Sequence, residues 1–211
     1  MTRILIVDDH PIVRRGLKEV LRDETDLSVL EAGNAIEALH EIKRDRVDLA
    51  IVDVDLPGMS GLELLKEIKR HDKNLPVLIL SVYPEDQIAV RVLKAGASGF
   101  VSKETVPDQL VSAIRKILGG GKHISEQVAD LLLMYLEGAP KKAQHEKLSD
   151  REFQILCMFG EGKTIKQIAE ELSLSAPTVS TYRARILNKM EMRSTAELVR
   201  YAIEKRISSP K

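Results

Sequence analysis

The stretch Val47-Asp-Leu-Ala-Ile-Val-Asp-Val-Asp-Leu-Pro-Gly-Met-Ser-Gly61 decides the fold of this chain. Leu49–Val52 is a short apolar run, rich in β-branched residues and bounded by turn signals, which predicts a buried parallel strand. Asp53 follows this strand, and Leu-Pro-Gly-Met turns the chain before Ser60 opens a helix. Because ligands bind outside the carboxyl ends of strands in open α/β sheets, we expect Asp53 to face a site.

Strands and helices alternate on both sides of this stretch. The predicted strands are Ile4–Val7, Leu27–Leu30, Leu49–Val52, Val77–Leu80 and Gly99–Val101. Apolar residues recur at helical spacing after each strand, and Gly119-Gly120-Gly121 closes the fifth helix. Five βα units predict an α/β fold, a doubly wound five-stranded parallel sheet with helices on both faces.

The C-terminal part is purely helical. A helix at Ser125–Leu136 and a polar segment at Gly138–Lys147 are predicted to form a linker. Four short helices follow, at 150–160, 165–172, 176–190 and 195–205. Their predicted starts are capping boxes at Ser149–Glu152, Thr164–Gln167 and Ser194–Glu197, and Ser175 with Pro177 in its first turn. Because only Ser173-Leu174 separates the middle pair, this small all-α domain is predicted to contain a helix-turn-helix. The predicted division is therefore 3–119, a linker with one helix at 120–146, and 147–207.

Composition restricts the classes of function. The net charge is +0, but residues 1–120 carry −3, while the chain from Ser175 onward has 8 basic and 3 acidic residues. A basic C-terminal end indicates an anionic partner such as nucleic acid. The single Cys157 excludes an internal disulfide, and its apolar neighbours predict a buried thiol. No signal peptide or membrane-length apolar run is found, so a cytoplasmic protein with no membrane partner is expected.

Polar side chains follow the predicted strands at one edge of the sheet. They are Asp8 and Asp9 after the first strand, Asp53 after the third, Ser81 after the fourth and Lys103 after the fifth. Clustered carboxylates repel one another unless a cation neutralises them, and all-oxygen ligands favour Mg²⁺. A carboxylate nucleophile beside Mg²⁺, a lysine and a hydroxyl suits phosphoryl transfer. None of the five histidines pairs with another at ligand spacing, and His10 is predicted only to begin a helix.

Residues 3–119 resemble a response-regulator receiver domain, which has a flavodoxin-like fold. The residues that carry this resemblance are Asp8-Asp9, Asp53-x-x-Leu-Pro-Gly-Met-x-Gly, Ser81 and Phe100-x-x-Lys103. The resemblance implies that a sensor histidine kinase phosphorylates Asp53.

The same resemblance implies a role for each residue of the site. Asp8, Asp9, Asp53 and the backbone carbonyl of Asp55 would hold Mg²⁺. Lys103 would pair with the phosphoryl group, Ser81 would hydrogen-bond to it, and Phe100 would follow inward as a switch. Ser81 stands where Thr is also common, and Phe100 where Tyr is common. Asp55 and Tyr83 occupy variable positions that tune the lifetime of the phosphoryl group.

The helix at 176–190 is the predicted recognition helix. Val179, Ile186 and Met190 share one face and are predicted to be core. The candidate DNA-contacting residues are Thr178, Ser180, Thr181, Tyr182, Arg183, Arg185 and Lys189.

Residues 147–207 resemble a LuxR-type helix-turn-helix. The matching features are Leu148-Ser149-x-Arg151-Glu152, Gly162-Lys163, Ile168-Ala169-x-x-Leu172, Ser175-x-x-Thr178-Val179 and Lys189-Met190. Ser180 stands where Lys is common and Tyr182 where His is common, so contacts are expected to shift to Arg183 and Arg185.

With the receiver, the whole chain resembles a NarL/FixJ-type regulator. The implied partners are double-stranded DNA, a second copy of the chain and RNA polymerase. A homodimer would read a near-palindromic operator. We expect its seam in the DNA-binding domain at Ser194–Lys205, with Leu198, Tyr201 and Ala202 exposed.

Two other functions fit part of the sequence. The first is a phosphorylation-independent DNA-binding regulator that uses the receiver only to dimerise. The second is a phosphatase of the haloacid-dehalogenase type, which Asp53-Val54-Asp55, Ser81 and Lys103 resemble. Those phosphatases place the nucleophile on the first strand and the Asp pair last, whereas here the Asp pair comes first.

Overall fold

The first half of the chain has the predicted alternation of strands and helices. The structure, a computed structural model, describes residues 1–136, 143–205 and 207. The strands are β1 (Thr2–Val7), β2 (Leu27–Ala32), β3 (Leu49–Asp53), β4 (Val77–Ser81) and β5 (Gly99–Ser102). The helices that follow them are α1 (Pro11–Val20), α2 (Ala35–Arg44), α3 (Gly61–His71), α4 (Glu85–Lys94) and α5 (Val106–Leu118). Each predicted strand is therefore present, extended by one or two residues.

The five strands form one parallel sheet in the order β2-β1-β3-β4-β5. The strand order reverses between β1 and β3, because the chain goes outward to β2 from one and to β4 from the other. Such a reversal leaves a crevice at the carboxyl ends of the two strands, where ligands bind in folds of this kind. The fold therefore places Asp8, after β1, and Asp53, the last residue of β3, on either side of this crevice.

Both faces of the sheet are covered, as the continuous apolar strands require. Ile4, Ile6 and Ile51 point to one face and pack with the apolar sides of α1 and α5. The alternate residues Leu5 and Val52 are also fully buried. A strand buried on both faces cannot alternate polar and apolar residues, which explains the unbroken apolar runs of β1, β3 and β4.

The loop between β3 and α3 folds back against the end of the strand. The amide of Gly61 donates a 2.9 Å hydrogen bond to the carbonyl oxygen of Val54. A Cβ atom on Gly61 would lie only 1.9 Å from the carbonyl oxygen of Asp53, so the approach requires glycine. Ser60 caps α3 in a capping box with Glu63, which satisfies free amides of the first turn. The Pro-Gly-Met-Ser-Gly sequence thus fixes the backbone directly below Asp53.

The C-terminal part contains the predicted short helices. After α6 (Glu126–Leu136) and a 3₁₀ turn (Gln144–Lys147) come α7 (Asp150–Gly160), α8 (Ile165–Glu171), α9 (Ala176–Lys189) and α10 (Thr195–Glu204). The central helix of this domain is α7, because every side chain from Arg151 to Phe159 is buried. Cys157 lies within α7, and its thiol is buried, as predicted.

Helix caps explain where these elements begin. Ser149 and Thr164 form the predicted capping boxes with Glu152 and Gln167. The Oγ of Ser175 accepts a hydrogen bond from the amide of Thr178. The third predicted capping box, at Ser194–Glu197, forms only one of its two expected hydrogen bonds. Ser194 accepts from the amide of Glu197, but the carboxylate of Glu197 accepts from the amide of Arg193 and not from that of Ser194.

The expectation that α10 exposes an apolar seam is wrong for two of its three residues. Leu198 and Ala202 are fully buried. The hydroxyl of Tyr201 lies 3.0 Å from Nδ1 of His145, and Tyr201 is half-buried. So small a domain uses the apolar face of α10 to complete its own core against α7. Ile203 is the large apolar residue of α10 that is exposed.

The chain divides into two compact units, Met1–Asp130 and Leu131–Lys211. Part of the segment predicted as linker is ordered against these units. His123 pairs with the edge of β5, and His145 is buried beside Tyr201. Residues 137–142, which include the first half of the predicted flexible segment, lie outside the described residues. The boundaries 3–119, 120–146 and 147–207 stay a prediction. Among the helices of the described residues, none is both long and apolar enough to span a bilayer.

The close approach of the Asp53 backbone to Gly61 predicts that a side chain at position 61 is costly. Gly61→Ala should destabilise the protein by about 3 kcal/mol, the upper end of the usual cost of overpacking, because the new Cβ meets rigid backbone and not a movable side chain. The matched control is Gly16→Ala in α1, where no atom lies within 4 Å of the new Cβ. That change should stabilise by about 0.5–1 kcal/mol, the usual gain within a helix. Urea unfolding measures both, and equal stabilities would contradict the proposed crowding.

Candidate functional site

The structure brings the predicted polar residues together at the carboxyl edge of the sheet. Asp8 and Asp53 are each about 1% exposed. The ammonium of Lys103, which follows β5, lies 2.7 Å from Oδ2 of Asp8 and 2.7 Å from Oδ2 of Asp53. Asp9 is more accessible and lies at the mouth of the pocket. One lysine thus bridges two buried carboxylates that belong to different strands.

Asp53 carries the largest electrostatic strain of this pocket. The pKa of Asp53 is raised from 3.8 to about 7, chiefly by burial, with smaller contributions from the charges of Asp55 and Asp8, while Lys103 opposes the rise. Burial by itself would lower the pKa of Lys103, but the charges of Asp53 and Asp8 outweigh this and raise it. Among the described residues, no hydrogen-bond donor reaches Oδ1 of Asp53. That oxygen is therefore free to bind a cation or an incoming electrophile.

His10 lies closer to this pocket than the sequence predicted. It begins α1, as expected, and its amide donates a 2.8 Å hydrogen bond to Oδ1 of Asp8. Its ring Nδ1 also lies 2.8 Å from Oδ1 of Asp9. Asp8, Asp9, His10 and Asp53 each place one possible ligand atom within 4.8 Å of the others, and this group could hold a metal ion. His10 thus lies among the acidic residues of the pocket, in addition to beginning α1 as predicted. The signal was its position directly after the Asp pair.

The opposite wall of the pocket contains Ser81. Ser81 is fully buried at the end of β4, and its Oγ accepts a 2.9 Å hydrogen bond from the amide of Tyr83. Phe100 is also buried and points inward. The hydroxyl of Tyr83 donates to Oδ1 of Asp55 at 3.0 Å, a contact the sequence did not predict. Tyr83 and Asp55 thereby join the loops after β4 and β3 above the pocket.

In the C-terminal unit, α8 and α9 form the predicted helix-turn-helix. Val179, Ile186 and Met190 are fully buried, which confirms the predicted core face. Of the predicted contact residues, Thr181, Arg185 and Lys189 are exposed, and Thr178, Ser180, Tyr182 and Arg183 are half-buried. The guanidinium of Arg185 lies 5.8 Å from the ring centroid of Tyr182. This cation–π arrangement holds a positive charge on the exposed face of α9.

Two of the predicted contact residues are bound within the domain. The Nε of Arg183 donates a 2.7 Å hydrogen bond to Oγ1 of Thr195, at the start of α10. The ammonium of Lys189 lies 2.6 Å from Oε2 of the buried Glu152. Burial tends to raise the pKa of Glu152, but Lys189 and the Ser149 hydrogen bonds lower it overall. Both cations therefore fix the orientation of α9 relative to its neighbours.

Two protein families match the chain. Residues 4–115 match the family described as "Response regulator receiver domain", and residues 146–202 match "Bacterial regulatory proteins, luxR family". The chain belongs to the response regulators that join a receiver domain to a LuxR-type helix-turn-helix domain. This confirms the fold class and family predicted from the sequence. It also places the chain among transcription regulators and not among enzymes.

Relatives in this family match along almost the whole chain. Response regulator UvrY of Escherichia coli (strain K12) is 34% identical over 205 residues, which are 96% of this chain and 94% of UvrY. Response regulator GacA of Pseudomonas aeruginosa is 33% identical over 205 residues, 96% of each chain. RcsB from Salmonella enterica serovar Typhimurium, solved bound to promoter rprA in the presence of phosphomimetic BeF3-, is 27% identical with a TM-score of 0.65. That match covers 95% of this chain and 97% of RcsB.

The raised pKa of Asp53 predicts a pH-dependent stability difference. Folding favours the protonated form of Asp53, so wild-type protein loses stability as pH rises from about 4 through about 7. In EDTA, Asp53→Asn should be about 1–2 kcal/mol more stable than wild type at pH 8, and nearly equal at pH 4. The gain is smaller than the pKa shift alone suggests, because Lys103 loses a partner. Urea unfolding at the two pH values measures it.

The control is Asp48→Asn, at the other end of the sheet. The hydrogen bond from the amide of Arg3 holds the pKa of Asp48 below its ordinary value. Replacement there should reduce stability at pH 8. If Asp53→Asn also reduced stability at pH 8 without metal, the carboxylate of Asp53 would not be under electrostatic strain.

Proposed function

We propose that Asp53 is the phosphoacceptor of this response regulator and that a sensor histidine kinase supplies the phosphoryl group. The observation that carries the proposal is a buried carboxylate with one free oxygen, held 2.7 Å from Lys103 beside an acidic pair. Phosphorylation then promotes dimerisation and sequence-specific DNA binding. The receiver catalyses only its own phosphoryl transfer and slow dephosphorylation.

The donor set of the pocket fits Mg²⁺. Asp8, Asp9 and Asp53 supply carboxylate oxygens, and the backbone carbonyl of Asp55 supplies a neutral one. A bound Mg²⁺ would neutralise the charge of the carboxylates and of the incoming phosphoryl group. His10 lies at the rim of this set and is not required by it.

The side chains then have distinct roles in the transfer. An oxygen of Asp53 forms the new bond to phosphorus while the bond from phosphorus to the kinase histidine nitrogen breaks, and the freed imidazole takes up a proton. Lys103 already contacts Asp53, so its ammonium is positioned to pair with a phosphoryl oxygen. The Oγ of Ser81 accepts from Tyr83, which leaves its hydroxyl hydrogen available to donate to that group. Phe100, already buried, is the switch side chain that fills space as Ser81 turns.

We infer that α9 enters the major groove of double-stranded DNA. Thr181 is exposed in the N-terminal half of α9, the part of a recognition helix that contacts base edges, and Arg185 is exposed one turn later. Thr178, Ser180 and Tyr182 flank them. Arg183 and Lys189 reach phosphates only by exchanging the internal contacts described above, so their first role is to orient the helix. RcsB has been solved as two dimers bound to two parallel DNAs. By that similarity this chain acts as a homodimer on DNA. A cytoplasmic location and contact with RNA polymerase stay predictions from the sequence.

The phosphoacceptor is tested by chemistry on the full chain. Incubation with acetyl phosphate and Mg²⁺ should add one phosphoryl group to wild type and none to Asp53→Asn, as read by intact mass. The same wild-type sample should shift to dimer on size exclusion. Asp72→Asn, at the exposed end of α3, is the control and should be phosphorylated normally. An adduct on Asp53→Asn would place the acceptor elsewhere. DNA binding that is unaffected by phosphorylation would favour the phosphorylation-independent regulator.

The recognition face is tested on a duplex selected from a random pool with wild-type protein. Arg185→Ala should weaken binding by about 1–3 kcal/mol if Arg185 reads a base, or lower the salt slope by about 1 if it contacts a phosphate. Arg200→Ala removes the same charge from an exposed position of α10 and should leave both quantities within error. Equal behaviour of the two variants would show that the exposed face of α9 does not meet DNA.

A further inference from the structure

The segment after α5 runs beside the open edge of the sheet. His123 forms a parallel bridge with Gly99 of β5. The amide of Phe100 donates a 3.0 Å hydrogen bond to the carbonyl of His123, and the amide of His123 donates a 3.0 Å hydrogen bond to the carbonyl of Ser98. The ladder of β5 therefore continues onto Lys122–Ser125, which we call the edge segment.

Side chains and glycine fix the edge segment in place. A Cβ on Gly99 would lie 2.8 Å from the carbonyl oxygen and 2.9 Å from the Cβ of His123. The missing side chain is what lets the two backbones approach so closely. The ammonium of Lys122 donates to the carbonyl of Ala97 at 2.8 Å. The edge segment is thus hydrogen-bonded to residues on both sides of Gly99, namely Ala97 and Ser98 before β5 and Phe100 within it.

The edge segment connects two elements of different function. On one side, β5 carries Phe100 and leads into Lys103, whose amide donates a 2.9 Å hydrogen bond to the carbonyl of Ser81. On the other side, α6 begins at Glu126, directly after the edge segment. Any shift of β5 relative to β4 during phosphorylation therefore acts on the edge segment, which is hydrogen-bonded to β5 and leads directly into α6.

We propose that the edge segment transmits the state of the phosphorylation pocket from β5 to α6 and so to the DNA-binding domain. This proposal rests on the proposed phosphorylation of Asp53. The two hydrogen bonds across Gly99 are its physical content, since they pair the backbone beside β5 directly with the segment that precedes α6. Phe100 takes part in both kinds of contact, because its side chain is buried and its amide bonds to the carbonyl of His123.

The test removes one of the two hydrogen bonds and keeps everything else. His123→Pro deletes the amide that donates to Ser98, while proline still permits an extended residue before it. His123→Ala is the matched control, because it also loses the imidazole but keeps the amide. Gly99→Val is a second route to the same detachment, through contact with the His123 backbone. All are prepared as full-length protein with and without acetyl phosphate and Mg²⁺.

Hydrogen exchange read by mass spectrometry gives three separate answers. Peptides across 97–103 should exchange faster in His123→Pro and Gly99→Val than in wild type, which shows that the edge segment is detached. Intact mass should show equal phosphorylation of all four proteins. The phosphorylation-dependent change in exchange across 126–136 should be present in wild type and His123→Ala, and lost in His123→Pro and Gly99→Val.

The outcomes separate this proposal from the proposed function. Unchanged exchange at 97–103 in both detached variants would overturn the pairing of the edge segment. Faster exchange there with an undiminished response at 126–136 would overturn its role in transmission. A wild-type protein that gains no phosphoryl group would count against Asp53 as acceptor, and the exchange at 97–103 would still report the pairing.

Discussion

The ion pairs of Lys103 with Asp8 and Asp53 connect the ends of three strands at the centre of the receiver domain. Three carboxylates at the carboxyl ends of two neighbouring strands repel one another, and burial increases the cost of their charge. One ammonium, delivered from the end of β5, reaches two of them. This arrangement requires β1, β3 and β5 to keep their register, so the sheet and the charges depend on each other.

The same electrostatic strain is what makes the pocket reactive. A carboxylate with a pKa near 7 and a free oxygen gains from any cation or electrophile that binds to it. A cation such as Mg²⁺ would relieve the repulsion among these carboxylates, and it would also offset the negative charge that a phosphoryl group adds. Stability and function are therefore opposed at Asp53, as is common where charges are gathered for chemistry.

The DNA-binding unit uses its charged residues differently. Glu152 caps α7 and pairs with Lys189 at the end of α9, while Arg183 reaches Thr195 at the start of α10. These contacts connect α9 to the helices that flank it, and leave Arg185 on the exposed face. A small domain with one central helix, α7, needs such links, since its apolar core is limited in area.

The sequence by itself determined the five strands, the helix starts and the identity of the acidic pocket. Hydrophobic periodicity, helix caps and the glycine-containing turn after Asp53 depend on residues that are close in sequence, so one sequence is enough to recognise them. Only the tertiary structure decided that His10 turns its ring to the Asp pair, that Tyr83 bonds to Asp55, and that Lys189 and Arg183 are held internally. It also decided that Leu198 and Ala202 face inward and that His123 lies against Gly99. Each of these depends on which elements become neighbours in space, and residues far apart in sequence meet only when the sheet and the helix bundle have formed.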